Sequence, residues 1–378
     1  METPFKPPVE IVPVRGRCLR REFVLLPYRF YRDDPCWVPP LIGEEKRFLL
    51  PASNPFLRNN PVELFLARRK GVTVGRVAAV LNNDHQRQHR DRCGFFGMFE
   101  CADDPPAAEA LIAAAGAWLR ARGCDTLRGP ASFSLNSVAG LLVDGFDRPP
   151  AVLMAYNPPY YRTLLEGLGF RQAMRFFAYE VSRGTIRFPR AVGRLEERLR
   201  DQGITFRPFD LANAKRDMGF IIDLFNRAWA DNWGFVPSTL AEGLDDLKKM
   251  RPVIKPDLIL LAEKDGRPVG FSLSLPDINQ ALRPLHGRLF PLGWLRLLRN
   301  LRKIDAIRVT LMGVLKEHRH LGIDLVFYRL TSENAGRYGI HKAEMSWILE
   351  NNEAMNRVLR HINAQVTKTY VLYEKPLP

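Results

Sequence analysis

Two apolar runs, Leu258–Glu263 and Arg267–Leu275, flank Asp265-Gly266 and predict a hairpin of buried strands. Ahead of them Ile204–Phe209 alternates as a strand does. Ala212–Asp231 and Ser238–Met250 carry apolar residues at helical spacing, the second just after Pro237. Behind the hairpin the pattern predicts strand Ala306–Leu315, a helix from Gly322 to Tyr338 closing on Gly339, strand Lys342–Leu349, helix Asn352–His361 and strand Gln365–Glu374. The first half follows the same order: hairpin Glu63–Leu81, strand Cys93–Cys101, helix Pro106–Arg122, strand Thr126–Gly129, helix Pro158–Leu168 and strand Arg171–Val181. Each half reads as a mixed α/β layer.

The halves also share residues. Leu66-Ala67, Gly71, Val74-Gly75 and Asn157 recur as Leu261-Ala262, Gly266, Val269-Gly270 and Asn352, each pair 195 residues apart (266 less 71, for the first glycines). Trp37-Val38-Pro39 has a looser echo in Trp233–Pro237, and Phe177-Ala178-Tyr179-Glu180 in Val371-Leu372-Tyr373-Glu374. One fold used twice is the natural reading, with domains at 1–186 and 204–378 and a basic linker helix at 187–203. A length of 378 residues suits two domains of about 150–200 each. An apolar fraction of 46% excludes a disordered or fibrous chain.

Charge narrows the partners. Lys and Arg number 56 against 41 Asp and Glu, a net charge of +15 that calls for an anion: nucleic acid, an acidic lipid surface or a phosphate-rich cofactor. The five cysteines (Cys18, Cys36, Cys93, Cys101, Cys124) are scattered and contain no CxxC pair, which argues against a disulfide framework or zinc site and fits a reducing cytoplasm. Prolines and charges interrupt Met1–Arg17, so it does not read as a signal peptide. No apolar run approaches the roughly 18 residues of a membrane span. A cytoplasmic protein, soluble or peripheral at the membrane, is expected.

The chemistry is carried by Val314-Leu315-Lys316-Glu317-His318-Arg319-His320-Leu321-Gly322-Ile323-Asp324, between a strand and a helix. A glycine turn at a helix N-terminus converges backbone N–H groups and the positive end of the helix dipole on one point, a cradle for pyrophosphate. A plain helix N-cap is the other reading. The run resembles the acyl-CoA N-acyltransferase (GNAT) superfamily, whose cofactor loop reads (Gln/Arg)-x-x-Gly-x-(Gly/Ala). Arg319 and Gly322 fill the first two positions, and Asp324 departs from the third. Glu350-Asn351-Asn352-Glu353-Ala354-Met355 and the late Tyr373-Glu374-Lys375 look like the superfamily's Asn-x-x-Ala helix and closing strand. In the first half the corresponding stretch reads Glu100-Cys101-Ala102-Asp103-Asp104-Pro105, acidic and without the loop. The resemblance thus implies two tandem GNAT-like domains, the N-terminal one degenerate in its cofactor loop.

It also implies acyl transfer from a thioester to an amine, with acyl-CoA or an acyl carrier protein as donor and no metal cofactor. Pantetheine would pair with the strand edge near Met312 and Val314, whose N–H polarises the thioester carbonyl. Arg319, His320, Gly322 and Ile323 would seat the pyrophosphate, and Asn352 would complete the cofactor site. The amine must lose a proton. Glu350 is the first candidate for the base, and Asp277 and Asn279 are second; each also reads as a solvated or capping residue. Helix Asn352–His361 contains no Tyr to protonate the departing thiolate.

An insertion at 276–305 separates hairpin and cofactor strand. From Gln280 to Ile304 it carries Arg283, Arg288, Arg296, Arg299, Arg302 and Lys303 and no acid. Trp294, Leu297, Leu298 and Leu301 share one helical face, with Arg296, Arg299 and Lys303 opposite. This suits a helix lying on an anionic membrane, or one packed on its own core. Nucleic acid is a weaker fit, because the aromatics do not interleave with the basic residues. Asn226, Trp229 and Trp233, in an aromatic-amide cluster, read either as acceptor-binding or as core-filling residues. His85 and His89 read as exposed loop residues. Asp34–Pro40, Gly94–Glu100, Asn157–Tyr161 and Asn232–Pro237 look like a bacterial tandem-GNAT family of this length, one branch of which acylates sphingoid bases. That resemblance implies a lipid amine as acceptor. A transferase fed by aminoacyl-tRNA and a non-catalytic lipid-binding protein are the alternatives.

Overall fold

The computed structural model describes residues 7–377; Met1–Lys6, the start of the proline-interrupted N-terminus, and Pro378 lie outside the described residues. Thirteen strands form among them: β1 (Glu10–Pro13), β2 (Val62–Arg69), β3 (Val72–Val80), β4 (Cys93–Cys101), β5 (Thr126–Gly129), β6 (Leu141–Asp144), β7 (Arg171–Ser182), β8 (Ile204–Pro208), β9 (Ile259–Lys264), β10 (Arg267–Pro276), β11 (Ala306–Val314), β12 (Lys342–Leu349) and β13 (Gln365–Pro376). Both expected hairpins form. Lys70-Gly71 and Asp265-Gly266 turn β2 into β3 and β9 into β10 with positive φ at both residues, the geometry that matches strand twist.

The chain divides into two compact units. Among the described residues, the first holds 7–175 together with Leu282–Trp294 and 369–377; the second holds Phe176–Ala281 and Leu295–Lys368. In the first unit the strand order is β1-β2-β3-β4-β5-β13, with β6 also on β13. Helix Pro105–Arg120 packs Leu111, Ala115 and Leu119 onto Val77, Phe96 and Leu127. In the second unit the order is β7-β12-β11-β10-β9-β8. Helix Ile323–Arg337 and helix Val192–Asp201 cover one face through Ile323, Phe327 and Leu199. Helix Ala214–Ala228 covers the other through Ile221, Leu224 and Phe225, beside helix Leu240–Met250. The latter begins at a Thr239–Glu242 capping box, worth about 1 kcal/mol.

The two closing strands change places. Phe177–Glu180 of β7 belongs to the second unit, with Tyr179 opposite Met345, and Val371–Glu374 of β13 belongs to the first, with Tyr373 opposite Gly129. Their sequence echo is the physical licence: each offers a tyrosine buried to 1% exposure or less to the core it joins.

The insertion forms a short helix Asn279–Leu282 and a longer one, Gly293–Leu301. No residue of the longer helix is buried. Leu297 and Leu301 are half-buried, while Phe290, Leu292, Trp294, Leu295 and Leu298 are exposed. His85 corrects the sequence reading: it lies on helix Asn83–His89 and is completely buried, while His89 is exposed. The hydrophobic pattern held no counterpart for β1, for β6 or for the helices Gly16–Phe30, Ile42–Phe48, Phe56–Asn59 and Asn83–His89.

Candidate active site

In the second unit β11 and β12 run parallel only from Ala306–Val309 against Lys342–Met345. Beyond that point both strands are irregular. β12 shifts register against β7 between Met345 and Ile348, and β11 bulges against β10, leaving Thr310 to donate its hydroxyl to Leu273 O at 2.9 Å. The Leu315 amide donates to Val269 O at 3.0 Å, so the alternation of an antiparallel ladder turns the amides of Met312 and Val314 away from β10. Their carbonyls point the same way. Met312 O accepts from Trp229 Nε1 at 3.2 Å, and Val314 O accepts from Arg319 Nε at 3.0 Å.

Beyond β11 the chain makes one tight turn, Lys316–Leu321, and enters helix Ile323–Arg337 through Gly322. Gly322 has φ +79°, a left-handed conformation that selects glycine; a Cβ there would stand 2.9 Å from the flexible end of Leu195, which would turn aside. Arg319 fastens the turn through a second bond, Nη2 to Ala228 O at 2.6 Å. Lys316 pairs with Asp231 and holds that carboxyl below its usual range, and Arg227 stands 3.7 Å from Glu317. His320 is exposed, whereas Ile323 is fully buried and anchors the helix start. No side chain caps this N-terminus. Asp324 sits in its first turn; burial pushes its carboxyl above the ordinary range, partly offset by the amides of Asp324 and Leu325. The turn therefore presents a helix N-terminus to an anion, with one acid opposing it.

Beside the paired part of the two strands lies a buried polar cluster with no warning in the sequence. Arg308 donates from Nε to Ser346 Oγ at 2.9 Å and from Nη2 to Ser346 O at 2.8 Å. Ser346 Oγ donates to Glu344 Oε1 at 2.7 Å, and Lys368 Nζ donates to Glu344 Oε2 at 3.1 Å. All four residues are buried. Charged residues alternating with apolar ones read as a solvated strand face, and only the packing shows otherwise.

The first unit closes the same place. Asp104 receives three bonds from Arg69 at 2.8–3.1 Å, and Pro105 and Pro106 remove two amide donors from the first turn of helix Pro105–Arg120. The gap beside β4 is filled by the chain itself. Ala131 N donates to Phe96 O at 2.8 Å, and a Cβ on Gly97 would lie 1.9 Å from Ala131 O. Phe133 is buried next to it, its ring stacked 4.6 Å from Phe48.

No family model matches the chain. Over 376 residues it is 36% identical to the bacterial ceramide synthase of Caulobacter vibrioides, covering 98% of both chains. Over 363 residues it is 36% identical to Protein YghO of Escherichia coli, covering 94% of this chain and 93% of that one. The chain belongs to this family of tandem GNAT acyltransferases. A solved tandem GNAT protein from the clavulanic acid biosynthesis pathway superposes with a TM-score of 0.58 at 12% identity, covering 98% of this chain and 99% of that one. The GNAT fold is thus present twice, and the N-terminal copy lacks the cofactor loop.

Within this GNAT acyltransferase the expected site residues fall into three groups. Met312, Val314, Arg319, His320, Gly322, Ile323 and Trp229 gather around the open end of β11. Glu350 is exposed on the turn after β12, at that same end. Asp277 and Asn279 lie elsewhere: β10 is antiparallel to β11, Asp277 N bonds Ala306 O at 2.9 Å, and about 20 Å of strand separates Ala306 from Met312. Two expected residues serve local structure. Asn352 caps helix Glu353–His361 by accepting from Met355 N, and Asn226 binds the backbone of Ser238 through both ends of its amide at 2.9 Å. Trp233 approaches Phe176 at 6.3 Å, and Phe176 approaches Trp347 at 5.6 Å, an aromatic group that the sequence pattern showed only at Trp233.

Proposed function

We propose that this acyltransferase moves a long-chain acyl group from a CoA or acyl-carrier thioester to a lipid amine of the sphingoid-base type. The open end of β11 leading into the uncapped helix start at Gly322 carries the reading. The relative named as a ceramide synthase, alike over nearly the whole chain, supplies the acceptor class. Pantetheine adds as a strand along Met312–Val314, and the pyrophosphate sits at Gly322 and Ile323 with His320 at the rim. An amide of that edge polarises the thioester carbonyl. The amine nitrogen, its proton passed to a carboxylate, attacks the carbonyl carbon; the C–N bond forms, the C–S bond breaks, and the thiolate takes up a proton. Glu350 is the first carboxylate for this role and Glu344 the second, with Trp229 and Trp233 on the acceptor side.

The basic insertion supports a position at the inner face of the cytoplasmic membrane. Phe290, at 83% exposure, and the exposed Leu292, Trp294, Leu295 and Leu298 stand beside Arg296, Arg299 and Lys303, with Leu297 and Leu301 flanking them. That is an apolar face with a cationic border, the chemistry of an anionic bilayer surface. No helix of the described residues is long and apolar enough to cross a membrane.

The direct test is purified protein with palmitoyl-CoA and sphinganine, following free thiol and amide together. Equal yields of both are expected; absence of amide, together with no binding of CoA, would overturn the reading. Sedimentation with phosphatidylglycerol vesicles tests the surface. Binding should fall at least about tenfold in Arg296→Glu/Arg299→Glu, at roughly 1 kcal/mol per basic residue. Unchanged binding would remove the membrane from the account.

A further inference from the structure

The first unit holds a second cluster of reactive groups, remote from acyl transfer in chemistry. His85 on helix Asn83–His89, Asp91 in the following turn and Cys93 at the start of β4 bring one ligand atom each within 4.8 Å of one another. His85 is completely buried. Its Nε2 lies 3.2 Å from Asp91 Oδ2, while its Nδ1 is buried with no hydrogen-bond partner. A buried imidazole nitrogen without a bond is unusual and costly.

We propose that His85, Asp91 and Cys93 bind a divalent metal ion of borderline softness, zinc before others, which fastens helix Asn83–His89 to β4. Imidazole nitrogen, carboxylate oxygen and thiolate sulfur form a donor set that suits zinc and disfavours magnesium or calcium. Zinc–ligand lengths of about 2.0–2.3 Å in tetrahedral geometry place donors roughly 3.3–3.7 Å apart; the His85–Asp91 pair is already at 3.2 Å, so any wider separation to Cys93 closes by at most about 1 Å through side-chain rotation. The frame is already fixed. Asn82 caps the helix through His85 N at 2.9 Å, and Gln86 Nε2 donates to Cys93 O at 3.1 Å.

Electrostatics permit the ion. The ion takes the lone pair of the imidazole and displaces the thiol proton, which passes to solvent as the metal–sulfur bond forms. With Asp91 and the thiolate the ion is neutralised. Arg128, the cation facing the cluster, is paired with Glu374 at 2.8 Å, and Cys124 and His89 are the remaining titratable neighbours. Water completes the coordination; the exposed His89 ring, 4.3 Å from that of His85, lies outside the ligand set. The wide spacing His85–Asp91–Cys93 has no CxxC signature, which is why a cysteine scan passes over it.

The test uses the full chain, stripped with chelator and titrated with zinc by calorimetry and with cobalt by absorption. One equivalent should bind, cobalt should show a thiolate charge-transfer band, and zinc should raise the melting temperature. Cys93→Ser, nearly isosteric, should stay folded by circular dichroism yet lose the band, lose the thermal shift and bind about 100-fold more weakly. His85→Gln should weaken binding similarly. Binding well below one equivalent, or a cobalt spectrum and affinity unchanged in Cys93→Ser, would overturn the proposal. None of these readouts depends on acyl transfer.

Discussion

Each unit runs from a central strand into a helix at the same point of its fold, β4 into Pro105–Arg120 and β11 into Ile323–Arg337. The second helix starts at a left-handed glycine with no capping side chain; the first starts at Asp104, clamped by Arg69 and followed by two prolines. Beside β11 the ladder to β12 ends after four residue pairs, whereas Ala131 and Phe133 fold into the gap beside β4. An anion site is therefore lost by three changes of kinds that leave the fold intact. An acid occupies the anion's place, prolines delete donors, and a loop fills the space. What the first unit keeps is stability, with a nearly buried ion pair where the second has an uncapped helix start.

The largest effect expected is in the first unit: Asp104→Ala leaves the Arg69 guanidinium, 13% exposed, without its bidentate acid and should cost about 3–5 kcal/mol in denaturant unfolding. Acyl transfer per folded molecule should be unchanged, and a parallel loss of affinity for CoA would contradict the division of roles. Gly322→Val comes next. A β-branched residue at φ +79° should reduce CoA affinity about 100-fold by calorimetry, about 2.7 kcal/mol, with the circular dichroism spectrum preserved. Arg319→Ala removes the bonds to Val314 O and Ala228 O and should raise the KM for CoA about tenfold with a smaller fall in kcat.

Asp324→Asn is the smallest effect and runs the other way. Burial raises the carboxyl in the folded chain, so its contribution to stability is fully present below the unfolded carboxylate range and is lost as pH rises through the raised value. The amide removes that loss and the repulsion of pyrophosphate. At pH 7 the variant should melt higher and bind CoA about threefold more tightly by roughly 0.6 kcal/mol. The gain should shrink toward acidic pH, where the wild-type carboxyl is itself neutral.

Local structure was readable from the chain and long-range placement was not. The hairpins at Gly71 and Gly266 and the glycine turn at Arg319–Gly322 depend on adjacent residues, so their patterns carry them. The exchange of β7 and β13 rests on two similar strands competing for two similar slots, which no local pattern ranks. Arg308, Glu344 and Lys368 look like a solvated strand face until packing buries them together. Asp277 and Asn279, second candidates for the base, follow β10 directly, and antiparallel pairing carries the end of β10 to the start of β11, away from Met312. Helix Gly293–Leu301 was readable as amphipathic; only the exposure of Trp294 and Leu298 separates a surface helix from a core one.

The number of CoA molecules bound per chain tests the account most directly. Calorimetric titration of the full chain should give one CoA, its affinity lowered about 100-fold by Gly322→Val and unchanged by Asp104→Ala. Two CoA per chain, or one whose affinity is unchanged in Gly322→Val, would contradict the assignment of a single donor site to the second unit.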